Sequence, residues 1–238
     1  MKSFLQTLRE RGRIIRNAFL KSETMSESKE KWNKFAKENS RYYVMTDYGK
    51  MIDEETFQNS GKKDYEELVA ADPMLSEKLS PFITRSVLEI GCGTGRITEF
   101  FGKNFKEVSG IDISEEMIEE GKRRLRHLTN LKLEVTDGRI YPFPDQSFDL
   151  VFSFIVFQHM PDKETVEKNL LEIDRVLKNG GIAKIQFRGE PASKKSQFYG
   201  PSFRKSDIET MISPIPLSIL KTEDEGKRYF WVWFGKNS

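Results

Sequence analysis

Three glycines stand at alternate positions in the stretch SVLEIGCGTGR, Ser86 to Arg96. A glycine weakens a strand or a helix, so three of them in five residues indicate a backbone that something approaches too closely for side chains. The apolar run before them predicts a strand, and the residues after them predict a helix. Amide groups that open such a helix can receive an anionic group. The spacing therefore predicts a ligand site at this turn.

A carboxylate follows the glycines at a sequence spacing that is typical of nucleoside-binding sites. Asp112 ends the next predicted strand, 17 residues after Gly95. A carboxylate there can accept hydrogen bonds from both hydroxyls of a ribose. A dinucleotide site prefers G-x-G-x-x-G, but its third glycine would fall at position 96, where this chain has Arg96. The turn and Asp112 together predict a nucleoside-containing cofactor and disfavour a nicotinamide dinucleotide.

The elements that must position these residues alternate between strand and helix from Ser86 onwards. Apolar runs predict strands at SVLEI, EVSGID, LKLEV, FDLVFSFIVF and IAKIQF, and LSILKT and RYFWVWF can pair as a terminal hairpin. Such alternation is typical of an α/β protein. We expect a Rossmann-like doubly wound sheet, mostly parallel with an antiparallel C-terminal strand, together with a helical N-terminal layer.

Polar residues indicate where several helices begin and end. Ser114 can cap the helix after Asp112. The triplet Asn179 to Gly181 is expected to end the preceding helix. Ser206 and Glu209 match a capping box.

Composition divides the chain into three predicted parts: a basic arm and linker (1–29), a helical layer (30–85) and the ligand-binding domain (86–238). Residues 1–21 carry a net charge of +5, whereas the whole chain carries +2. Phe4, Leu8, Ile15 and Phe19 recur at helical spacing in this arm. It can pack on the body, bind a membrane surface or bind a partner. Tyr42, Tyr43 and Asp47 of the helical layer can close the pocket or pack in the core.

The motifs as a set resemble the class I S-adenosylmethionine-dependent methyltransferases, of the type that acts on small molecules. VLEIGCGTG resembles the first motif of that family, and GIDISEEMI resembles its second-strand motif. VTDGRIYPFPDQSFDLVFSFIVFQHMPD and LLEIDRVLKNGGIAKIQF are similar to its later strands and glycine turn, although the family more often has Pro-Gly-Gly than NGG. The resemblance covers Ser86 to Phe187. It implies S-adenosylmethionine as the cofactor.

The resemblance assigns cofactor contacts to thirteen residues: Glu89, Gly91, Cys92, Gly93, Thr94, Gly95, Asp112, Ile113, Met117, Asp137, Gly138, Ser153 and Phe154. Glu89 and the glycine turn would surround the methionine part of the cofactor. Asp112 would hold the ribose, and Ile113 would lie against the adenine.

Further along the chain, Asp137 and Gly138 stand where the family often contacts the adenine amino group. Ser153 and Phe154 would lie beside the sulfonium.

His159, in FQHMPD, is the candidate base for an oxygen or nitrogen acceptor, because a histidine can titrate near neutral pH. Its alternative role is to fix its loop by a hydrogen bond. Two histidines and one cysteine are too few for a convincing zinc site, so no metal is expected.

The cysteine count and the charge distribution limit the cellular location and the kinds of partner that we expect. With one cysteine and no secretory apolar run, the chain is predicted to be cytoplasmic. Outside the arm it lacks excess positive charge, which makes nucleic acid an unlikely partner and favours a small-molecule acceptor. Transfer to an oxygen or nitrogen is favoured over transfer to a carbon. Methyl transfer to RNA or protein and a non-catalytic cofactor-binding module are the alternatives. The sequence indicates neither the acceptor nor the oligomeric state.

Overall fold

The computed structural model describes residues 23–45, 49, 51–191 and 200–236. The basic arm 1–21 and Asp47 lie outside these ranges, so the predictions made for them stay predictions. None of the described helices has the length and apolar character needed to cross a bilayer.

The sheet has seven strands: β1 (Ser86–Ile90), β2 (Glu107–Asp112), β3 (Leu131–Val135), β4 (Phe148–Ser153), β5 (Leu177–Phe187), β6 (Leu217–Glu223) and β7 (Phe230–Lys236). Their order is β3-β2-β1-β4-β5-β7-β6. Strands β1 to β5 pair in parallel, and β7 pairs antiparallel to both β5 and β6. The predicted fold class is confirmed. Strand order reverses between β1 and β4, which opens a crevice at their carboxyl ends.

Seven α-helices surround the sheet in the described ranges: α1 (Met25–Val44), α2 (Glu54–Tyr65), α3 (Pro73–Leu79), α4 (Thr98–Asn104), α5 (Glu115–Arg124), α6 (Lys163–Val176) and α7 (Lys205–Ile212). A π-helical turn, Glu66–Ala70, joins α2 to α3. Two apolar cores cover the two faces of the sheet, one around Phe157 and Phe187 and the other around Phe101 and Trp233. The second core includes Tyr65 and Leu75, so α2 and α3 complete one face of the sheet.

Helix α1 begins earlier than the sequence predicts. Its first residue is Met25, inside the segment predicted as arm and linker. Thr24 accepts a hydrogen bond from the Glu27 amide, and the Glu27 carboxylate accepts one from the Thr24 amide. This capping box starts the helix within a polar sequence. At Asn39 the helix kinks, and the Asn39 side chain caps the segment that follows.

Other boundaries also differ from the predicted ones. β4 ends at Ser153, and Ile155 adopts a φ of 58°, so the long apolar run turns instead of continuing as a strand. α6 ends at Val176, before the glycines, because Leu177 is buried and pairs with Phe148 in the sheet. Helix α7 begins at Lys205, after Arg204, so the predicted capping box at Ser206 and Glu209 is wrong. The carboxylate that reaches back belongs to Asp207 instead.

A buried ion pair fastens the helical layer to the sheet. The Asp72 Oδ2 atom lies 2.7 Å from Lys184 Nζ on β5 and accepts a hydrogen bond of 2.9 Å from the Trp233 indole on β7. Its Oδ1 atom caps α3 by accepting from the Met74 and Leu75 amides. The Lys184 and Asp72 side chains are only 4% and 3% exposed. Removal of one partner therefore leaves an uncompensated buried charge.

We expect Asp72→Ala to lower the free energy of unfolding by about 3 to 5 kcal/mol, because Lys184 would be left buried and unpaired. Urea denaturation measures this loss. Glu66→Ala removes the partner of Lys62 in an exposed ion pair and serves as the control. Equal stability of the two variants would contradict a structural role for the buried pair.

Candidate cofactor-binding site

The turn after β1 is built around three glycines with left-handed backbone, of which Gly95 has a φ of 82°. Gly91 has a φ of 70° and Gly93 a φ of 54°. A side chain at Gly91 would also lie 2.2 Å from a methyl carbon of Val156, and one at Gly93 would lie 3.4 Å from a methyl carbon of Val44. The glycines thus let the loop after β4 and the end of α1 close on the turn.

Asp112 connects this turn to β2. One carboxylate oxygen accepts a hydrogen bond of 3.0 Å from the Gly93 amide, and the other accepts one of 2.8 Å from the Ser114 amide. Each oxygen of a carboxylate can accept more than one hydrogen bond. Burial raises the pKa of Asp112, although these amide donors oppose the shift. The arrangement leaves acceptor capacity for two further donors at the end of β2.

Glu89 lies on β1, two residues before the turn, and is 5% exposed. The Thr98 hydroxyl donates to its carboxylate. Burial raises the pKa of Glu89 to about 8, while the Thr98 hydrogen bond and the nearby Arg96 charge oppose that shift. The site therefore holds a carboxyl group that is mostly protonated at neutral pH in this structure.

These groups surround one cavity of about 150 Å³. It is lined by ten of the residues that the sequence assigns to the site: Glu89, Gly91, Cys92, Gly93, Asp112, Ile113, Met117, Gly138, Phe154 and His159. Cys92 is 4% exposed and packs against Gly110 of β2.

Four assigned residues are not among the lining residues of this cavity. Thr94 is fully buried and Gly95 packs on Leu125. Ser153 donates to the Ile90 carbonyl at 3.1 Å. The Asp137 side chain is exposed and caps the turn that follows it. A cofactor contact by any of these four stays a prediction.

Helix α1 covers the cavity. Met25, Ser28 and Trp32 line it from one side of the helix, and Tyr43 and Val44 line it from the C-terminal end. Tyr42 packs on Tyr43 with 5.1 Å between ring centroids.

Helix α1 is held in this place by polar contacts with α5. Lys29 Nζ lies 2.7 Å from Glu115, and Lys37 Nζ lies 3.0 Å from Glu116. The hydroxyl of Ser114, the N-cap of α5, donates to Asn33 at 2.7 Å. Helix α1, which covers the cavity, is thus attached to α5, the helix that begins just after Asp112.

The Met25 side chain reaches the floor of the cavity. A side chain at Gly138 would lie 2.2 Å from Met25 Cε and 3.0 Å from Ile113 Cγ2. These are the residues that the sequence assigns to the adenine. The cavity volume also lies below the range of about 300–1,000 Å³ typical of small-molecule clefts. Met25 therefore lies beside the predicted adenine position.

His159 lies at the other end of the cavity. Its ring centroid is 5.6 Å from that of Trp32, and its Nε2 is 3.2 Å from the Gln158 amide nitrogen. Because an amide nitrogen donates, His159 Nε2 acts as the acceptor here. This contact orients the ring.

Several lining residues were not identified from the sequence: Met25, Ser28, Trp32, Val44, Arg96, Thr136, Tyr141, Ile155, Val156, Met160, Pro161 and Asn169. Arg96 was noted in the sequence only because it replaces the third glycine of the dinucleotide motif, and its place in the cavity lining was not predicted. Tyr141 and Asn169 bond to each other, and Asn169 also donates to the Gly138 carbonyl, which holds the adenine-side loop. No local pattern marks such contacts between distant segments.

Protonation of Glu89 should make stability depend on pH. A carboxyl whose folded pKa of about 8 exceeds its unfolded value stabilises the fold fully below the unfolded pKa and loses that contribution as pH rises through 8. We expect Glu89→Gln to gain stability relative to the wild type as the pH rises from about 4.5 to about 8. Urea denaturation at several pH values measures this difference. Glu107→Gln, an exposed change on β2, should follow the wild type, and a parallel curve for Glu89→Gln would refute the assignment.

The segment that contains the glycine turn and Asp112 is similar in sequence to known proteins. Residues 87–181 match the Methyltransferase domain family. The 2-methyl-6-phytyl-1,4-hydroquinone methyltransferase of Synechocystis sp. is 38% identical over 98 residues, which cover 41% of this chain and 30% of that protein. Malonyl-[acyl-carrier protein] O-methyltransferase 2 of Ilyobacter polytropus is 34% identical over 131 residues, which cover 52% of this chain and 49% of that protein. The chain thus matches less than half the length of these relatives.

Solved structures share the fold beyond the matched sequence. A phosphoethanolamine N-methyltransferase 1 from Haemonchus contortus superposes with a TM-score of 0.67 at 17% identity, covering 93% of this chain and 51% of that one. A magnesium protoporphyrin IX methyltransferase from Synechocystis gives 0.66 at 15% identity, covering 90% of this chain and all of that one. These structures therefore share their fold with this chain, and the segment 87–181, which carries the glycine turn and Asp112, is similar to the Methyltransferase domain family.

Proposed function

We propose that this protein is a methyltransferase that uses S-adenosylmethionine to methylate an oxygen or nitrogen of a small-molecule acceptor. The observation that carries the proposal is one cavity that brings together the glycine turn, the buried Glu89 carboxyl and the Asp112 carboxylate, which accepts hydrogen bonds from two backbone amides. When bound, S-adenosylmethionine supplies a methyl group on a positively charged sulfur that a nucleophile can displace in line.

The residues present fit such a cofactor. Asp112 keeps acceptor capacity for the two ribose hydroxyls. Gly91 and Gly93 place the backbone of the turn at the cavity wall, where Val156 and Val44 pack against it. Ile113 and Gly138 form an apolar slot for the adenine once Met25 moves away. The chain's part in catalysis is to align the acceptor with the methyl group and to exclude water.

The acceptor side of the cavity is apolar and aromatic. Trp32, Tyr43, Phe154, Met160 and Pro161 line it. Phe154 stacks on Trp231 at 5.4 Å, which fixes its ring. These walls favour a neutral, ring-bearing acceptor over a highly charged one. The name of the Synechocystis relative, a hydroquinone methyltransferase, supports the same class of acceptor.

Isothermal titration with S-adenosylmethionine, S-adenosylhomocysteine and NAD tests the cofactor. We expect heat from the first two ligands and none from NAD. Binding of NAD alone would overturn the proposal. Asp112→Ala should weaken S-adenosylhomocysteine binding by about 100-fold or more, because two hydrogen bonds to a charged group are lost. Asp145→Ala, an exposed carboxylate outside the cavity, is the control, and equal affinities of the two variants would refute the ribose assignment.

His159 is proposed to accept the proton of the acceptor hydroxyl or amine. We expect His159→Ala to lower the rate of methyl transfer by about 100-fold, within the range typical of general bases, and to leave cofactor affinity nearly unchanged. Transfer of labelled methyl groups to a panel of hydroquinones and phenols measures the rate, and titration measures the affinity. An unchanged rate on an accepted substrate would exclude His159 as the base.

A further inference from the structure

The chain leaves β4 through a backbone conformation that its side chain disfavours. Ile155 has a φ of 58°. A β-branched residue is seldom found in this left-handed region, because its side chain collides with the backbone there. Such a conformation costs free energy and persists only where surrounding contacts fix it. Contacts with other elements must therefore hold Ile155 in place.

Gln186 on β5 supplies that hold. Its side chain is fully buried, and Oε1 accepts a hydrogen bond of 2.9 Å from the Ile155 amide. Its Nε2 donates to the Phe187 carbonyl and, at 3.3 Å, to the Arg228 carbonyl. A primary amide can make both kinds of contact because it has an acceptor oxygen and a donor nitrogen. Gln186 thus connects the turn after β4 to β5 and to the segment that enters β7.

The turn that Gln186 holds forms two parts of the cavity wall. Phe154, Ile155 and Val156 all line the cavity. Val156 packs on the glycine turn, where a side chain at Gly91 would lie 2.2 Å from its methyl carbon. Phe154 belongs to the acceptor side, and its ring stacks on Trp231 with 5.4 Å between ring centroids. A change in the Ile155 backbone would therefore move both parts of the wall.

We propose that Gln186 is a positioning residue for methyl transfer. By holding Ile155 in the left-handed conformation, it keeps Phe154 and Val156 where the acceptor must be aligned with the methyl group. The inference rests on the proposed function. Alignment is the chain's main contribution to such a reaction, and a displacement of about 1 Å can lower the rate by about 100-fold. Gln186 is not among the described residues that line the cavity, so it acts through Ile155.

The alternative is that Gln186 only stabilises the fold. A buried amide that connects three backbone segments contributes to stability wherever it lies. A purely structural role predicts that the variants lose stability, while the molecules that remain folded keep the wild-type kcat. A positioning role predicts that kcat falls in fully folded protein.

Two variants of Gln186 separate these roles. Gln186→Asn shortens the side chain by one carbon and withdraws the amide from Ile155. Gln186→Glu keeps the length and an oxygen that can accept from the Ile155 amide. Burial favours its protonated carboxyl, which also donates a hydrogen bond.

Transfer of labelled methyl groups from S-adenosylmethionine to a panel of hydroquinones and phenols measures kcat and KM. We expect Gln186→Asn to lower kcat by about 10- to 100-fold, and Gln186→Glu to retain most of the wild-type value. Affinity for S-adenosylhomocysteine should stay nearly unchanged in both variants, because Asp112 holds the glycine turn independently. Circular dichroism confirms that each variant is folded before the rates are compared.

Asn130→Leu is the matched control. The Asn130 amide also donates to two backbone carbonyls, those of Gly102 and Phe105, but it precedes β3 at the opposite end of the sheet. This variant should lose stability in urea denaturation and keep the wild-type kcat.

An unchanged kcat in Gln186→Asn, or equal losses in Gln186→Asn and Gln186→Glu, would overturn the proposal. A loss of kcat in Asn130→Leu as large as that in Gln186→Asn would do the same, because it would reduce the effect to general stability. Failure of the wild type to methylate any compound of the panel would instead refute the proposed function, together with the inference that rests on it.

Discussion

The hydrogen bond from the Gly93 amide to the Asp112 carboxylate is the contact on which the site depends. It joins the turn after β1 to the end of β2, so two neighbouring parallel strands fix one backbone loop. The same carboxylate also accepts from Ser114 and thereby shapes the start of α5. Because its oxygens retain acceptor capacity, one side chain can hold the turn and face a ligand. Replacement of Asp112 therefore disturbs the scaffold and the site together.

The N-terminal helices complete this scaffold through buried charge. Arg124 of α5 donates to the Thr94 carbonyl in the turn, and it also contacts Glu54 and Glu99. Arg96 extends from the other side of the turn to Asp64 of α2. Two arginines thus hold the glycine turn against α2, which has no counterpart in the matched region 87–181. The matched region thus contains the glycine turn and Asp112, and residues before it enclose the turn.

Periodicity and turn chemistry were sufficient to predict the sheet, its antiparallel strand, the glycine turn and Asp112, whereas most of the other cavity residues were predicted only through the resemblance to a known family. The apolar run after Phe148 predicted a continuous strand, but the chain turns at Ile155. Ile155 has a left-handed backbone, which a branched side chain disfavours. The Gln186 side chain accepts from the Ile155 amide and supports that turn, a contact between residues 31 apart. Likewise, nothing near Met25 indicates that it reaches Gly138. Local patterns predict elements, whereas the contacts that close the site join segments far apart in sequence.

The position of α1 over the cavity has a consequence for ligand entry. The helix lies along one side of the cavity with Met25 beside Gly138 and Ile113, so a ligand that occupied this end would meet the Met25 side chain. Lys29 and Lys37 hold the helix through partly exposed ion pairs, which dissolved ions screen. Dissolved salt therefore weakens one part of the attachment of α1 to α5, whereas the hydrogen bond from Ser114 to Asn33 joins uncharged groups and is retained.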